Sequence, residues 1–296
     1  MINLVDFSSY KRDFNFVEPS GCSEKMYLQN PDDGTFGLFK YPKSDATYEY
    51  VSEHLASVLA AFLGIPCCII EIGKYNGRIG CFSHWLYELD KGIQFVEGVS
   101  LIENAFPDYD KDHFSFDNGD IYSIEKIMPC LYTNAMRESF LIMNVFDFFI
   151  GNSDRHHSNW AILHKGGCID TFSPIYDNGS SLCSYISESK VDLCLTNPAS
   201  MMSLCDTKSK SAIGLGSLKR PKHSEMIEYI IKEYYAKDFP HLKSFIDNIL
   251  CVSKIEIDKM LNEYNNLLSE KRIILLENFL IYKQEILSKS VRGGST

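Results

Sequence analysis

The sequence predicts an α+β protein with a small, β-rich N-terminal lobe containing one helix, followed by a larger and mainly helical lobe. Three observations predict this class. Short strand-like runs separated by turn signals surround a single amphipathic run in the first third of the chain. Patterns of helical periodicity fill most of the remainder. At 296 residues, 45% of them apolar, the chain is long enough to bury a large core.

A β-hairpin is the first predicted element of the small lobe. Asn30-Pro31-Asp32-Asp33-Gly34 is a strong turn signal, and it separates strand-like runs at 26–29 and 35–40. Two more strands are expected at 67–72 and 78–82, joined by a second turn. Four strands around one helix are enough for a small sheet with that helix packed on it.

The helix between the two strand pairs is predicted over 48–63. Asp45 is expected to cap its start, and Gly64 is expected to end it. Apolar residues at three- and four-residue spacing indicate the face that packs against the sheet. This stripe consists of Val51, Leu55, Val58, Leu59 and Phe62.

The larger lobe is predicted around a long apolar helix from Asn134 to Ile150, which ends at Gly151. A short hairpin, a loop and a disordered tail are also expected. The hairpin pairs 160–163 with 169–172, further helices occupy 224–235, 239–250 and 255–287, the loop covers 191–222, and the tail is 291–296. We therefore expect an N-lobe at 1–84 and a C-lobe at 85–290.

Charge and cysteine usage exclude several functional classes. The net charge is −10, which disfavours direct binding of nucleic acid or of an anionic membrane, because both depend on Lys and Arg. The start of the chain shows no signal peptide, and no apolar run reaches the length of a membrane span. The ten cysteines have no zinc-site spacing and suit a reducing, cytoplasmic protein. Secretion without a cleavable signal stays open.

The most informative motif follows the long helix and contains Asp154 and Asn159, five positions apart. Asp177 then follows the predicted hairpin. Phosphoryl transfer needs one carboxylate to orient the attacking hydroxyl and a set of oxygen ligands to hold Mg²⁺ against a triphosphate. Each segment alone is more typical of a helix cap or a turn. Their joint occurrence, in this order and with a hairpin between them, indicates a kinase-type site.

The small lobe should then hold the nucleotide. Lys40 ends a predicted strand and could contact the phosphates if a helix carboxylate fixes it, with Glu53 favoured and Glu49 as the alternative. The turn Ser20-Gly21-Cys22-Ser23 could present backbone N–H groups to phosphate oxygens, although a single glycine is a weak signal. Phe82-Ser83-His84 lies where the chain leaves the lobe, so that its backbone could read an adenine edge.

The pair His156-His157 lies inside the central motif. A metal site is disfavoured, because no carboxylate or thiolate occurs at ligand spacing. We expect a histidine there to position the loop through hydrogen bonds, and we place His156 beside the nucleotide.

At this point the sequence resembles the HipA-like serine/threonine kinases. The segments at 141–160, 173–177 and 53–65 are similar to their catalytic loop, metal-binding segment and small-lobe helix. The resemblance covers about residues 20–180 and implies a bilobal protein-kinase-like fold. It also implies Asp154 as the catalytic aspartate, Asn159 and Asp177 as Mg²⁺ ligands, and Lys40 as the contact to ATP. The phosphate loop, poor in glycine, departs from the family pattern.

The resemblance also implies partners. Some relatives are toxins that phosphorylate a translation factor or a tRNA synthetase and pair with a helix-turn-helix antitoxin. Others autophosphorylate serines near the phosphate loop, where Ser20 and Ser23 stand here. Two alternatives stay open. One is a phosphoinositide, lipid or small-molecule kinase, which this motif also resembles. The other is an ATP-binding pseudokinase that acts as an interaction subunit.

Overall fold

The protein is described from a computed structural model covering residues 1–13, 24–87, 92–166, 168, 170–235, 237 and 239–293. It has the predicted α+β class. The N-terminal part is built on a six-stranded sheet in the order β1-β5-β6-β4-β3-β2. The strands are β1 (Val5–Asp6), β2 (Lys11–Arg12), β3 (Lys25–Gln29), β4 (Phe36–Lys40), β5 (Ile70–Tyr75) and β6 (Arg78–His84).

Both predicted strand pairs are confirmed as antiparallel, β3 with β4 and β5 with β6. The sequence did not predict β1 and β2, because two-residue strands show no periodicity. Strand β1 runs parallel to β5, and β2 extends the sheet beyond β3. The central position of β4, between β3 and β6, fixes where Lys40 lies at the end of that strand.

Helix α1 spans Glu49–Leu63 and packs on this sheet. It ends at Gly64 as predicted, with the left-handed backbone (φ 77°) that glycine adopts without steric cost. The predicted cap was wrong, because the helix begins after Tyr48 rather than at Asp45. The side chain of the N-cap residue Tyr48 makes no capping hydrogen bond, so the usual sequence signal of a helix start is missing here.

The buried face of α1 is rotated from the predicted apolar stripe. Its buried residues include Ala56, Ala60 and Leu63, whereas the predicted Phe62 is 47% exposed. Small residues contribute little to a hydrophobic pattern, although alanine lets a helix approach a sheet closely. Val51, Leu55 and Leu59 are buried as predicted, and Val58 is half-buried.

The remaining part is mainly helical. Its helices are α2 (Gly98–Ala105), α3 (Ile124–Ile127), α4 (Asn134–Ile150), α5 (Glu188–Thr196), α6 (Pro198–Met202), α7 (His223–Ile230), α8 (Pro240–Cys251), α9 (Lys254–Asn262) and α10 (Glu270–Gly293). Its strands are β7 (Ile93–Glu97), β8 (Tyr109–Asp110), β9 (Ser115–Phe116), β10 (Ala161–Lys165) and β11 (Thr171–Phe172). Short 3₁₀ and π turns occupy 128–130, 203–207 and 231–235.

Three predictions for this part were wrong. The supposed loop 191–222 contains most of α5 and all of α6. The supposed helix 255–287 is two helices, because the chain turns after Asn262. At the start of α10 the Ser269 hydroxyl oxygen accepts a hydrogen bond from the Arg272 N–H. The supposed disordered tail is still helical up to Gly293, and residues 294–296 lie outside the described part.

Helix α4 has the predicted bounds and lies in the centre of the core. The Thr133 hydroxyl oxygen accepts a hydrogen bond from the backbone N–H of Met136 at its start, and Gly151 ends it with φ 68°. Nearly all of its second half is buried. The predicted hairpin is present as β10 and β11, and β7 pairs with the other edge of β10. Residues 152–159 therefore form a loop held between α4 and this three-stranded sheet.

Backbone bonds join the small sheet to the segment after β11. The Cys68 N–H donates to the Ile175 carbonyl (2.8 Å), and the Ile175 N–H donates to the Pro66 carbonyl (2.9 Å). Residues 176–180 are thereby placed beside α1. The lobe boundary at residue 84 stays a prediction. Within the described ranges, no helix is both long enough and apolar enough to cross a membrane.

Candidate active site

A cleft of about 680 Å³ lies between the small sheet, the start of α1 and the loop 152–159. We call residues 152–159 the catalytic loop. The structure brings most of the predicted site residues together along this cleft. They are Lys40, Glu53, Ser83, His84, Asp154, His156, Asn159 and Asp177. Residues about 140 positions apart in the sequence therefore face a common space.

Lys40 is a cation in the cleft that pairs with two carboxylates. Its Nζ donates to Glu53 Oε1 and to Asp177 Oδ1, both at 2.8 Å. Burial alone would lower the pKa of this ammonium group, but the two carboxylates raise it well above its usual value. Lys40 is therefore charged. The predicted Lys40–Glu53 pair is present, and the contact with Asp177 was not predicted.

Glu53 links α1 to the segment that follows β11. Its Oε1 accepts from Lys40, and its Oε2 accepts from the backbone N–H of Asn178 at 2.9 Å. Burial raises the pKa of this carboxyl, and the Lys40 charge opposes the rise. The alternative partner, Glu49, instead accepts from the backbone N–H of Lys43 at 3.2 Å. The structure thus distinguishes two glutamates that the sequence left open.

Asp177 occupies a strained backbone position, with φ 56°. Its side chain is 39% exposed at the cleft. Enclosure by the cleft walls raises the pKa of its carboxyl, but the charge and hydrogen bond of Lys40 outweigh this and hold that pKa well below its usual range. Asp177 is therefore an ionised carboxylate that can accept a cation.

The catalytic loop presents Asp154 and Asn159. The Asp154 side chain is exposed, and its backbone is held on both sides. Asn152 Oδ1 accepts from the Asp154 N–H (3.1 Å), and Asn159 Nδ2 donates to the Asp154 carbonyl (2.8 Å). Because Nδ2 of Asn159 is engaged with the loop, its Oδ1 is the amide atom left for a ligand.

Asn159 and Asp177 line the same cleft and supply an amide oxygen and a carboxylate. Hard oxygen donors of this kind suit Mg²⁺, which takes few protein ligands and keeps several waters. The donor set therefore fits the metal that a kinase requires. The exposure of Asp177 leaves room for water and phosphate oxygens beside it.

Arg155 holds the catalytic loop in place and was missed by the sequence reasoning. Its guanidinium is 1% exposed and forms a bidentate ion pair with the carboxylate of Asp147 on α4, at 2.9 and 2.8 Å. It also donates to the Asn159 carbonyl (2.6 Å), the Tyr176 carbonyl (2.5 Å) and Asn178 Oδ1 (2.6 Å). Asp147 was the available signal, since a lone carboxylate in an apolar helix needs a partner.

The two histidines of the motif have different surroundings. His156 lines the cleft, and its Nδ1 accepts from the Ser158 N–H at 3.2 Å. His157 is buried, and its Nδ1 lies 2.8 Å from the Tyr109 hydroxyl while its ring stacks on Phe114. Burial lowers the pKa of His157 to about 4, so the ring is neutral at pH 7. Both histidines position the loop through hydrogen bonds.

The segment predicted to read the base is divided between the two faces of the sheet. Ser83 and His84 line the cleft. The ring of His84 lies on the same face of β6 as Phe82, with 5.0 Å between the ring centroids, and its Nε2 lies 2.7 Å from Glu71 Oε2. Phe82 does not reach the cleft, because alternation along β6 points its ring into a cluster with Phe7. Aromatic side chains, which sequence reasoning had not identified, complete the wall at this end. They are Tyr27, Trp85, Tyr87, Phe95 and Tyr176.

The predicted phosphate turn cannot be placed in the same way. Ser20, Gly21, Cys22 and Ser23 lie outside the described residues, which resume at Glu24. Their predicted contact with phosphate and the predicted modification of Ser20 or Ser23 therefore stay predictions.

Comparison with known proteins identifies a family and relatives that this chain resembles. The model of the HipA-like C-terminal domain family matches residues 17–237. Serine/threonine-protein kinase CtkA of Helicobacter pylori strain J99 is 22% identical over 242 residues, which cover 74% of this chain and 71% of that protein.

Two solved structures resemble the fold. A crystal structure of the Helicobacter pylori proinflammatory kinase CtkA superposes with a TM-score of 0.78 at 16% identity, covering 99% of each chain. A complex of the Shewanella oneidensis toxin–antitoxin proteins HipA and HipB with operator DNA gives a TM-score of 0.58 at 13% identity, covering 93% of this chain and 65% of that one. At these identities the superpositions establish the bilobal kinase-like fold.

Proposed function

Since this chain belongs to the family of HipA-like C-terminal domains, we propose that it is an ATP- and Mg²⁺-dependent serine/threonine protein kinase. One observation carries the proposal. Asp154, Asn159 and Asp177 face a single cleft together with the Lys40–Glu53 pair. This set contains a carboxylate for the acceptor hydroxyl, oxygen ligands for a metal and a cation for phosphate oxygens.

Lys40 binds and orients the phosphates in this proposal. Glu53 holds its ammonium group at the end of β4, so that one cation faces the cleft in a fixed direction. A fixed cation can offset charge on the transferring phosphoryl group without reorganising during the reaction. The aromatic wall at the far end of the cleft offers flat apolar surfaces for a base.

Asp154 orients the acceptor. Its exposed carboxylate accepts a hydrogen bond from the substrate hydroxyl and takes the proton as the new bond between the hydroxyl oxygen and the γ-phosphorus forms. The bond between that phosphorus and the β–γ bridging oxygen breaks, and ADP leaves with the electron pair. The bonds from Asn152 and Asn159 hold the Asp154 backbone that carries this carboxylate.

Asn159 and Asp177 would hold Mg²⁺ through their side-chain oxygens. A bound ion would supply positive charge that offsets the negative charge of the phosphates. Arg155 contributes indirectly, because it bonds to the carbonyls of Asn159 and Tyr176 and so fixes the spacing between the two ligand-bearing segments.

The family also supports finer proposals. The protein substrate would be a translation factor or a tRNA synthetase, and self-phosphorylation would occur at Ser20 or Ser23. The HipA structure that this fold resembles is in complex with the antitoxin HipB, which supports a helix-turn-helix partner for this chain as well. The cytoplasmic location expected from composition is likewise a proposal.

The test is transfer of labelled γ-phosphate from ATP to proteins of a bacterial lysate. We expect Asp154→Asn and Asp177→Asn each to abolish transfer, and Asp177→Asn also to lose Mg²⁺-dependent nucleotide binding. Asp117→Asn, at an exposed aspartate elsewhere in the same lobe, serves as the matched control. Full activity in either cleft variant would overturn the assignment. Label found only in added phosphoinositide vesicles would favour a lipid kinase, and ATP binding without any transfer would favour a pseudokinase.

A further inference from the structure

A strongly basic segment lies beside the catalytic loop. Residues 208–222, here called the basic loop, contain five cations and no Asp or Glu, in a chain whose net charge is −10. Composition alone suggests an ordinary solvated loop, and the basic loop lies within the predicted loop 191–222. The five cations are Lys208, Lys210, Lys219, Arg220 and Lys222.

The basic loop is folded back on itself and anchored at its base. Lys210 and Lys222 form an antiparallel bridge, and the Ser211 N–H donates to the Pro221 carbonyl at 3.0 Å. Just inside this bridge, the buried Ser209 hydroxyl lies 2.9 Å from His223 Nδ1 and accepts from Lys283 Nζ at 2.8 Å. The cations are therefore presented from an ordered platform.

One bond fixes the position of this platform relative to the catalytic carboxylate. Arg220 Nη2 donates to the carbonyl of Ser153, the residue before Asp154, at 2.8 Å. Lys43 lines the same cleft as Asp154 from the N-terminal side. Its Nζ donates to the Tyr185 hydroxyl at 3.1 Å, and this bond is the main cause of the raised pKa of Lys43, with a smaller contribution from the Asp154 charge. Positive charge from Arg220 and Lys43 therefore lies near the catalytic loop and the cleft that carry the exposed Asp154 carboxylate.

Most of this positive charge is not neutralised by the protein itself. Among the described residues, Asp206 is the one carboxylate within 4.0 Å of a basic-loop cation, and it touches Lys222 only at that limit. Lys208, Lys210, Lys219 and Arg220 are exposed. A cluster of exposed like charges next to a reaction centre raises the local concentration of an oppositely charged ligand.

We propose that the basic loop, together with Lys43, is the docking surface for an acidic segment of the protein substrate. The preferred Ser or Thr would then be flanked by Asp or Glu. This inference rests on the proposed kinase function and adds to it the class of acceptor sequence. The occupant is a protein segment rather than nucleic acid, because the basic loop carries no aromatic side chain on which a base could stack.

The experiment compares three synthetic serine peptides that differ only in their flanks, which are Asp/Glu, Ala or Lys. We expect the wild-type protein to phosphorylate the acidic peptide about tenfold more efficiently than the Ala peptide, in kcat/KM, since each exposed charge pair contributes up to about fivefold. Added salt should reduce this preference, because exposed charges are screened.

The variant Lys210→Glu/Lys219→Glu should lose the preference for the acidic peptide and gain activity toward the Lys peptide. It leaves the bond from Arg220 to the catalytic loop in place. The control Lys259→Glu/Lys289→Glu changes net charge equally at exposed positions on α9 and α10, and should keep the wild-type ranking of peptides. Thermal unfolding of each variant verifies that it is folded.

Equal rates for all three peptides, or the same ranking in both double variants, would overturn the docking proposal while leaving the kinase function intact. Transfer to anionic lipid vesicles in preference to every peptide would also overturn it. Failure of the proposed function is distinguishable from these outcomes, because no peptide and no lysate protein would then receive phosphate from ATP.

Discussion

Two clusters of charge, one around Arg155 and one around Lys40, differ in how completely the protein satisfies their hydrogen bonds. Arg155 makes five hydrogen bonds to protein groups, which equals the number of N–H donors on a guanidinium. Lys40 uses two of its three donors, on Glu53 and Asp177. Arg155 is 1% exposed, whereas Asp177 beside Lys40 is 39% exposed. A buried cluster whose hydrogen-bond donors all have protein partners can support the fold. A cluster beside a cleft that keeps a free donor can bind a ligand.

Substitution of Asp177 should separate activity from stability most sharply. Asp177→Asn removes a carboxylate at the cleft while the Lys40–Glu53 pair remains, so phosphoryl transfer should fall about a thousandfold or more. The free energy of unfolding should change by about 1 kcal/mol or less, because the side chain is partly exposed. Initial-rate measurements and urea unfolding test the two halves. A large loss of stability would mean that Asp177 belongs to the framework.

Substitution of Arg155 should show the opposite balance. Arg155→Lys keeps the positive charge but cannot form the bidentate ion pair with Asp147. The buried carboxylate of Asp147 is then left poorly paired. We expect a loss of about 3–5 kcal/mol in the free energy of unfolding, measured by urea denaturation. Arg137→Lys, at a less buried position on helix α4, which carries Asp147, is the control. Wild-type stability in Arg155→Lys would refute the supporting role of this cluster.

The same contrast explains what the sequence could predict. Asp154, Asn159 and Asp177 are recognisable because the chemistry requires particular residue types at a short spacing, and they do line one cleft. The frame around Arg155 depends on where α4, the catalytic loop and residues 176–178 meet in space. Such a meeting leaves only an indirect trace in the sequence, here the unexplained Asp147.

The fold shows the same limit. The bounds of α4 were predicted correctly, since a long apolar run that ends at a glycine marks them. The break between α9 and α10 was not predicted, because apolar periodicity continues through it. The Ile2 N–H donates to the Glu263 carbonyl at 2.9 Å within that break. A contact over more than 250 residues cannot be read from a local pattern.

Glu53 belongs to the Lys40 cluster and also accepts from the backbone of Asn178, whose side chain bonds to Arg155, so it should give an intermediate effect. Glu53→Gln weakens the fixation of Lys40 and replaces the anionic acceptor of the Asn178 N–H. We expect the KM for ATP to rise about tenfold, as is typical for the loss of a charge-assisted hydrogen bond worth roughly 1.5 kcal/mol. Steady-state kinetics at varied ATP measures it. Glu49→Gln, four residues away on the same helix, should change this KM little, and equal effects of the two would contradict the assignment of Glu53.

Lys283 contrasts with Arg155, because no carboxylate among the residues that the structure describes forms an ion pair with it. It is 0% exposed, donates to Ser209 Oγ at 2.8 Å and lies over the ring of Phe148. Burial lowers its pKa to about 7, and the nearby groups Cys205, Asp206 and Cys183 offset this only in part. Arg155 stays charged because it forms an ion pair with Asp147. Lys283 has no such pair among the described residues, so the desolvation cost of its buried charge favours loss of its proton.

This difference predicts a dependence of stability on pH. Between pH 7 and about 10, the unfolded chain holds a proton on Lys283 that the folded protein has largely lost, so the free energy of unfolding rises with pH there. Below pH 7 both states are protonated, and the full cost of the buried charge, about 1.4 kcal/mol for each unit of pKa, applies. Lys283→Met removes that cost, so the variant should gain most over the wild type near pH 7 and progressively less toward pH 10. Urea unfolding at pH 7, 8 and 9, with Lys289→Met on the same helix as control, measures the trend. A difference that does not vary with pH would show that Lys283 keeps its proton in the core.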